Sequence, residues 1–290
     1  KETLKGYLSF DGEIKGNFNN LQGSAKVKLQ KGNLFDVEVD NLFCNVFYKD
    51  NIMRFTNGNA RLYNGTATVE AMIKLPVVDY YSLKVKATDV SSNGIFKLIK
   101  WNPHIPEGRI SGVIESSGGE FEPHGNFSYV SLPMGRDILD RVKKIDGEFS
   151  MKGKEINFAE LFISTDKSSI LAEGGIDLKK NVLRFTGSGA TTDIKDFSSP
   201  YFNALSGPGK FTCAVSGALK DPVIEIRFAS NSMTFSTGEL GISDVLKNRK
   251  RHFNEAEGEI IYRKNLLIVK NIIARSLNNP PSPPFSKGRV

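Results

Sequence analysis

Apolar and charged residues alternate at period two through one short run after another. Ala25, Val27 and Leu29 stand against Lys26, Lys28 and Gln30, and Val37 and Val39 against Asp36, Glu38 and Asp40. Leu83, Val85 and Ala87 flank Lys84 and Lys86, while Ile224, Ile226 and Phe228 flank Glu225 and Arg227. In "IDGEFSMKGKEINFAELFIS", Ile145 to Ser164, Phe149 and Met151 share one parity and Glu148, Ser150 and Lys152 the other. Successive strand residues point to opposite faces, so each run predicts a strand with one apolar and one wet face. Turn signals such as "DG", "NG", "KG" and "KKN" recur at intervals too short for the crossovers that parallel pairing needs. The expected fold class is therefore all-β and antiparallel.

The pattern repeats. "GYLSFDGEIKGNFNNLQG" from Gly6, "GRISGVIESSGGEFEPHG" from Gly108 and "GKFTCAVSGALKDPVIE" from Gly209 each read as strand, break, strand, at spacings of 102 and 101 residues. A second landmark aligns Asn51, Lys154 and Asn265, which puts Phe55, Phe158 and Val269 in register, and likewise Ala60, Ile163 and Ala274. Glu70 and Glu173, Ile73 and Ile176, and Leu75 and Leu178 also match between the first two units. The third unit stops before that strand. The organisation read from this is repeat one over 1–105, repeat two over 106–204, an incomplete repeat three over 205–276, and a tail over 277–290. In that tail Pro280, Pro281, Pro283 and Pro284 remove ladder donors and predict disorder. Short helices are expected only at "NGIFKLIKW" near Asn93, "GRDILDRVKK" from Gly135, "PYFNAL" from Pro200 and "ISDVLKNRKRH" from Ile242, the first and third as junctions between units.

The remaining features narrow the function classes. With 39% hydrophobic and 24% charged residues the chain can bury a core, and its apolar runs are far shorter than the roughly 20 residues of a membrane-spanning helix. The chain opens on Lys1, which reads as a fragment or a processed chain. Cys44 and Cys213 have neither disulfide nor metal spacing and read as small buried apolar residues. His104, His124 and His252 stand in loop-like contexts without a second ligand, the glycine pairs open no helix that could cradle phosphate, and no serine sits in a nucleophile elbow. No catalytic residue, metal or cofactor is expected, and the chain reads as a non-enzyme.

The net charge of +7 permits weak attraction to anionic surfaces without demanding nucleic acid. Lys247, Arg249, Lys250 and Arg251 form a basic run that could meet phosphate headgroups, against the simpler reading of a solvated helix end. Strand aromatics alternate with cations on the opposite face, whereas a nucleic-acid surface interleaves the two on one face. Nucleic acid is not expected as a partner. The apolar face must close on itself, pair with a second sheet or enclose something apolar.

"VKKIDGEFSMKGKEINFAELFISTDKSSILAEGGIDLKKNVLRF", Val142 to Phe185, resembles the C-terminal repeat of AsmA-like proteins. "GIFKLIKWNPHIPEGRISGVIESSG" and "GKFTCAVSGALKDPVIEIRF" resemble the related TamB-like units. The resemblance covers about residues 4 to 276 and lies in pattern rather than in an invariant motif. It implies an extended, strongly curved antiparallel sheet folded lengthwise into an apolar groove (a β-taco), with phospholipid acyl chains as cargo. It also implies a periplasmic chain, tethered to the inner membrane by a segment absent here, that meets inner- and outer-membrane proteins at the ends of its parent. The expected function is a lipid-binding segment of a conduit between the two membranes. The alternative is a scaffold for outer-membrane protein assembly with a dry core. The residues expected to line the groove are Val27, Leu29, Val37, Val39, Phe55, Leu83, Val85, Phe149, Phe158, Ile176, Ile224, Ile226 and Phe228.

Overall fold

The computed structural model describes residues 4–17, 20–34, 37–76, 80–98, 106–132, 141–198, 204–236, 250–264 and 266–276. Six strands come first: β1 (Leu4–Lys15), β2 (Gln22–Leu34), β3 (Val37–Lys49), β4 (Ile52–Leu62), β5 (Gly65–Lys74) and β6 (Tyr81–Ser91), followed by helix α1 (Ser92–Leu98). Six more follow and end at helix α2 (Lys195–Ser198): β7 (Gly108–Gly118), β8 (His124–Ser131), β9 (Lys144–Lys152), β10 (Glu155–Ser164), β11 (Ser168–Asp177) and β12 (Val182–Thr191). The last group is β13 (Leu205–Ser206), β14 (Gly209–Ala218), β15 (Asp221–Ser230), β16 (Met233–Ser236), β17 (Lys250–Phe253), β18 (Glu255–Arg263) and β19 (Leu266–Arg275).

Sixteen of these strands form one curved antiparallel sheet that does not close into a barrel, each neighbour in space being the next main-sheet strand in the chain. Among the described residues strand makes up 77% and helix 4%, and no layer of helices covers either face. Strict alternation of direction puts α1, α2 and the small sheet β13–β16–β17 at one rim, while short turns line the other.

Because directly opposed residues of an antiparallel pair project to the same side, the register carries one face across the whole sheet. One unbroken row runs Gly58, Val69, Val85, Ile114, Gly125, Phe149, Phe158, Gly174, Phe185, Val215, Ile224, Tyr262, crossing twelve strands without a charge. Among the described residues, no inward position of the sixteen strands carries Asp, Glu, Lys or Arg. Several inward positions are glycines roofed by rings from the next strand. A Cβ on Gly147 would lie 2.5 Å from Leu161 Cδ2 and 3.2 Å from the Phe127 ring, and one on Gly189 2.6 Å from Phe211. The rings of Phe127, Phe158 and Phe185 contact in sequence, with centroids 6.0 and 5.7 Å apart, and run along the sheet rather than around it.

Bulges interrupt the ladder at related places. Pairing shifts between Phe55 and Gly58 in β4 and between Phe158 and Leu161 in β10, with a further shift between Lys270 and Ile273 in β19. Asn57 and Asn271, equivalent in the sequence alignment, both have positive φ, whereas the β10 bulge forms without one.

Some turn signals prove to be strand. "DG" at Asp11–Gly12 and Asp146–Gly147 lies inside β1 and β9, where neighbouring backbone or side chains pass too close for a Cβ: on Gly12 it would sit 2.5 Å from Ser24 O. "NG" at Asn57 and "KG" at Lys31 mark bulges or kinks rather than hairpin turns. Of the expected helices, "NGIFKLIKW" contains most of α1. Residues 135–140 of "GRDILDRVKK", 200–203 of "PYFNAL" and 242–249 of the fourth lie outside the described residues; of the remainder none is α-helical, Lys144 beginning β9 and Leu205 lying in β13. Lys250, Arg251 and His252 are corrected to strand: pairing of β17 with β16, whose Met233 is fully buried, prevails over the local helical pattern. Neither α2 nor the small second sheet is foreseen from the sequence.

The small sheet and Ile194, just before α2, build the main core. Ile194, Leu205 and Met233 pack onto Phe211, Phe228, Ala256 and Ile260 and cover the inner face at β14–β18. Polar groups fasten this junction. Asp193 is held below the usual aspartate range: burial pushes its carboxyl up, but the Lys167 ammonium at 2.8 Å and the amides of Lys195 and Gly207 outweigh that. Asp196, also buried, accepts from Thr165 Oγ1 and Ser168 Oγ.

Two outcomes follow from this asymmetry. Phe228→Ala, in the covered part, is expected to cost about 3–5 kcal/mol, and Ile14→Ala, in the exposed part, under about 1 kcal/mol, as read from denaturant midpoints. Since the folded Asp193 pKa is depressed, its contribution is present above the unfolded value of about 3.9 and lost as pH falls through the lower folded one. The stability difference between the wild type and Asp193→Asn should therefore shrink on acidification below pH ~4, in thermal melts across that range.

Candidate functional site

The inner face is the candidate site, and its residues owe their direction to the ladder. Val27 opposes Phe10 and Cys44, and Leu29 opposes Leu8 and Leu42. Phe55 lies between Val46 and Ala71, Leu83 opposite Ala71, and Val85 opposite Val69 and Ile114. Phe149 faces Phe158, Ile176 faces Ile156 and Leu183, and Ile224, Ile226 and Phe228 face Val215, Cys213 and Phe211. Val37 and Val39 reach the same side by a phase change. Val39 is buried, Asp40 and Asn41 are both exposed, and Leu42 is inward again, beside the positive φ of Lys31 on β2.

Burial is uneven along this face. At β14–β18 it is covered, and Ile226 packs against that core. Along β1 it is open: Phe10 and Ile14 are 64% and 69% exposed beneath a cavity of about 740 Å³, while Leu29, Val39 and Cys44 on β2 and β3 are buried. Its walls are Phe10, Ile14, Leu21, Val46, Met53 and Leu75, with Glu13 and Asn51 at its rim and the Tyr48 hydroxyl 3.0 Å from Asn51 Oδ1. Of these residues Phe10, Ile14, Val46, Tyr48 and Met53 sit at inward strand positions, and none is among the lining expected from the sequence. The alternation of Leu8, Phe10 and Ile14 with Ser9, Asp11 and Glu13 carries the signal, but reading "DG" as a turn splits it.

A larger hollow lies elsewhere. A cavity of about 1430 Å³ crosses β6–β14, and its lining includes the outward polar side chains of Glu115, Glu148, Asn157, Glu173 and Arg184. Lys84 is already spent on Glu115 at 2.7 Å, which raises the lysine pKa and lowers the glutamate's through their hydrogen bond and charge attraction. The hollow is the wet side of the sheet.

Other candidate groups are dispersed. Lys250 and Arg251 are exposed on β17, in the small sheet over β14–β18 and far along the sheet from the open cavity, while Lys247 and Arg249 lie outside the described residues. His124 is exposed at the start of β8, His252 is on β17, and His104 lies outside the described residues. Cys44 and Cys213 are inward and free, and burial pushes both thiols above their ordinary pKa. Among the described residues no group of three His, Cys, Asp or Glu could hold a metal ion, and no helix is long and apolar enough to cross a membrane.

Comparison with protein-family models, with curated proteins and with solved structures finds no match. The arrangement itself defines what the face can do. It offers contact area to apolar matter, without a charge to fix orientation.

The open and covered inward positions should differ in reactivity. A thiol introduced by Phe10→Cys is expected to alkylate at neutral pH at the rate of a free thiol, while Cys44 reacts many-fold more slowly until the chain is unfolded. Mass spectrometry of time points resolves the two, and equal rates would mean the inner face is uniformly accessible.

Proposed function

We propose that this chain is a non-enzymatic lipid-binding segment of a phospholipid conduit between the inner and outer membranes of a bacterial envelope. The observation that carries this reading is the uncharged inner face, continuous over sixteen strands and open to an apolar cavity at β1–β4. Each methylene removed from water contributes about 0.8 kcal/mol, so a chain of about fifteen carbons gains on the order of 10 kcal/mol gross against such a lining. Headgroups stay in water at the rim. With no fixed polar group inside, selectivity among lipids is weak and sliding along the row meets no charged barrier. The resemblance to AsmA-like and TamB-like repeats supports the same reading, and with it the periplasmic location, the tether and the membrane-protein partners.

A second reading has its own observation. The small sheet and Ile194 cover the inner face over β14–β18, Ile194 and Met233 being fully buried. A chain whose whole inner face packs dry would serve as an assembly scaffold, docking envelope proteins by its outer face or edges.

Lipid extraction and mass spectrometry of protein purified in mild detergent separates the readings. Met53→Asp places a carboxylate in the open cavity, and a folded variant with bound phospholipid reduced several-fold is expected. Ile260→Asp, in the covered part, is expected to unfold, because a buried unpaired carboxylate costs several kcal/mol. Ile226 is less suited to carry the charge, since it abuts that core. Wild-type protein free of phospholipid, or a folded Met53→Asp variant with unchanged lipid, would count against the conduit.

A further inference from the structure

The outer face carries the charged positions of the sheet, but at one place it is apolar. Phe162 on β10 and Leu171 on β11 oppose each other directly, point outward and are 46% and 57% exposed, so together they form an apolar ridge standing in water. On one side of the ridge, over β12 and β14, lies a hollow of about 690 Å³ floored by the small side chains of Ser188, Ala190 and Thr212, with Lys210 and Arg227 beyond them. On the other side Asp146, Glu148 and Glu160 edge a second hollow of about 570 Å³. These charges are only partly satisfied within the chain. Lys144 pairs with Asp146 at 2.7 Å and Glu259 with Arg227 at 3.6 Å. The bulge at Ala159, however, sets Glu160 directly opposite Glu148, and like charges so placed repel. Among the described residues no ion pair reaches Glu148, Glu160 or Lys210.

Across the strands the order is therefore carboxylates, ridge, hollow, cations, and that order is complementary to its own reverse. A two-fold axis set between ridge and hollow turns a second copy so that its ridge enters this hollow and its cations lie over these carboxylates, and the same contacts recur with the roles exchanged. We infer that two copies of this chain dock outer face to outer face through β9–β15, with Phe162 and Leu171 of each seated over Ser188 and Thr212 of the other. Lys210 and Arg227 of each copy then supply the positive charge that Glu148 and Glu160 of the other lack. Glu225 stands two residues from Arg227 on β15, nearer the rim of short turns, so the incoming carboxylates settle on the Lys210 side of Arg227. Such a contact uses the same patch on both molecules and closes at two. It leaves the inner face free and is independent of both readings of that face.

Two variants and their mixture test it. Leu171→Glu removes the ridge and Ser188→Arg fills the hollow, both at exposed outward positions where strand content by circular dichroism should be unchanged. In sedimentation velocity the wild type is expected to show a concentration-dependent monomer–dimer equilibrium with nothing larger, and each variant alone to raise the dissociation constant by about tenfold or more. Mixing the two variants should restore dimers, because the heterodimer keeps one native ridge-in-hollow contact and brings the new carboxylate to the new guanidinium at the other. A wild type that stays monomeric at the highest soluble concentration overturns the inference. So does a folded variant that dimerises as the wild type does, or a mixture no more dimeric than either variant alone.

Discussion

Antiparallel pairing transmits facing from strand to strand, and the rest of this structure depends on that transmission. A slip of one residue would send every inward side chain of a strand into water and its charged neighbours into the interior. The chain nevertheless contains bulges, and it survives them because they are matched. Where β3 changes phase between Val39 and Leu42, Lys31 on β2 is kinked beside it, and the shifts in β4 and β10 leave the bulged residues outward and exposed. A bulge strengthens local twist, so these irregularities bend the long sheet without costing it its apolar side.

Within that frame the two ends of the sheet solve different problems. Over β14–β18 the inner face is covered by Ile194 and by side chains from the small sheet, and behaves as an ordinary protein core. Along β1 the inward Leu8, Phe10 and Ile14 stay largely in water, although Leu29, Val39 and Cys44 on the next two strands are buried. In between, glycines opposite phenylalanines let rings lie along the sheet, which keeps the lining low and even. Such a surface is relieved of its hydration by whatever apolar matter reaches it, a lipid chain or another protein surface, and the proposed function follows from that.

Much of this is legible in the sequence, for a physical reason. Period-two alternation is a local property, and one residue of known facing fixes its strand, so Val27, Phe55, Phe149 and Ile226 could be assigned to a common side from the string alone. The equivalence of Asn57 and Asn271 is likewise visible as a repeat before it is visible as backbone geometry. What escapes is contact between distant segments. The helix expected near Lys250 is a strand because Met233 and its neighbours pair with it, and "DG" is a turn signal only where nothing passes close to the glycine. The division of the inner face into covered and open parts also belongs to tertiary packing, and Phe10 and Met53 look no different in sequence from Phe228 and Ile260.

The placement of both helices and the small sheet at one rim bears on how such a chain can lengthen or shorten over evolutionary time. A segment gained or lost must contain an even number of strands. An odd number would return the chain at the opposite rim and reverse the polarity of everything downstream, so that junction elements now docked beside Ser92 and Ile194 would emerge among the tight turns. The two complete units obey this parity with six strands each, and the last group obeys it with four. Variation in length is thereby quantised in hairpins, and one lip of the trough is free to acquire embellishments while the other is held to minimal loops.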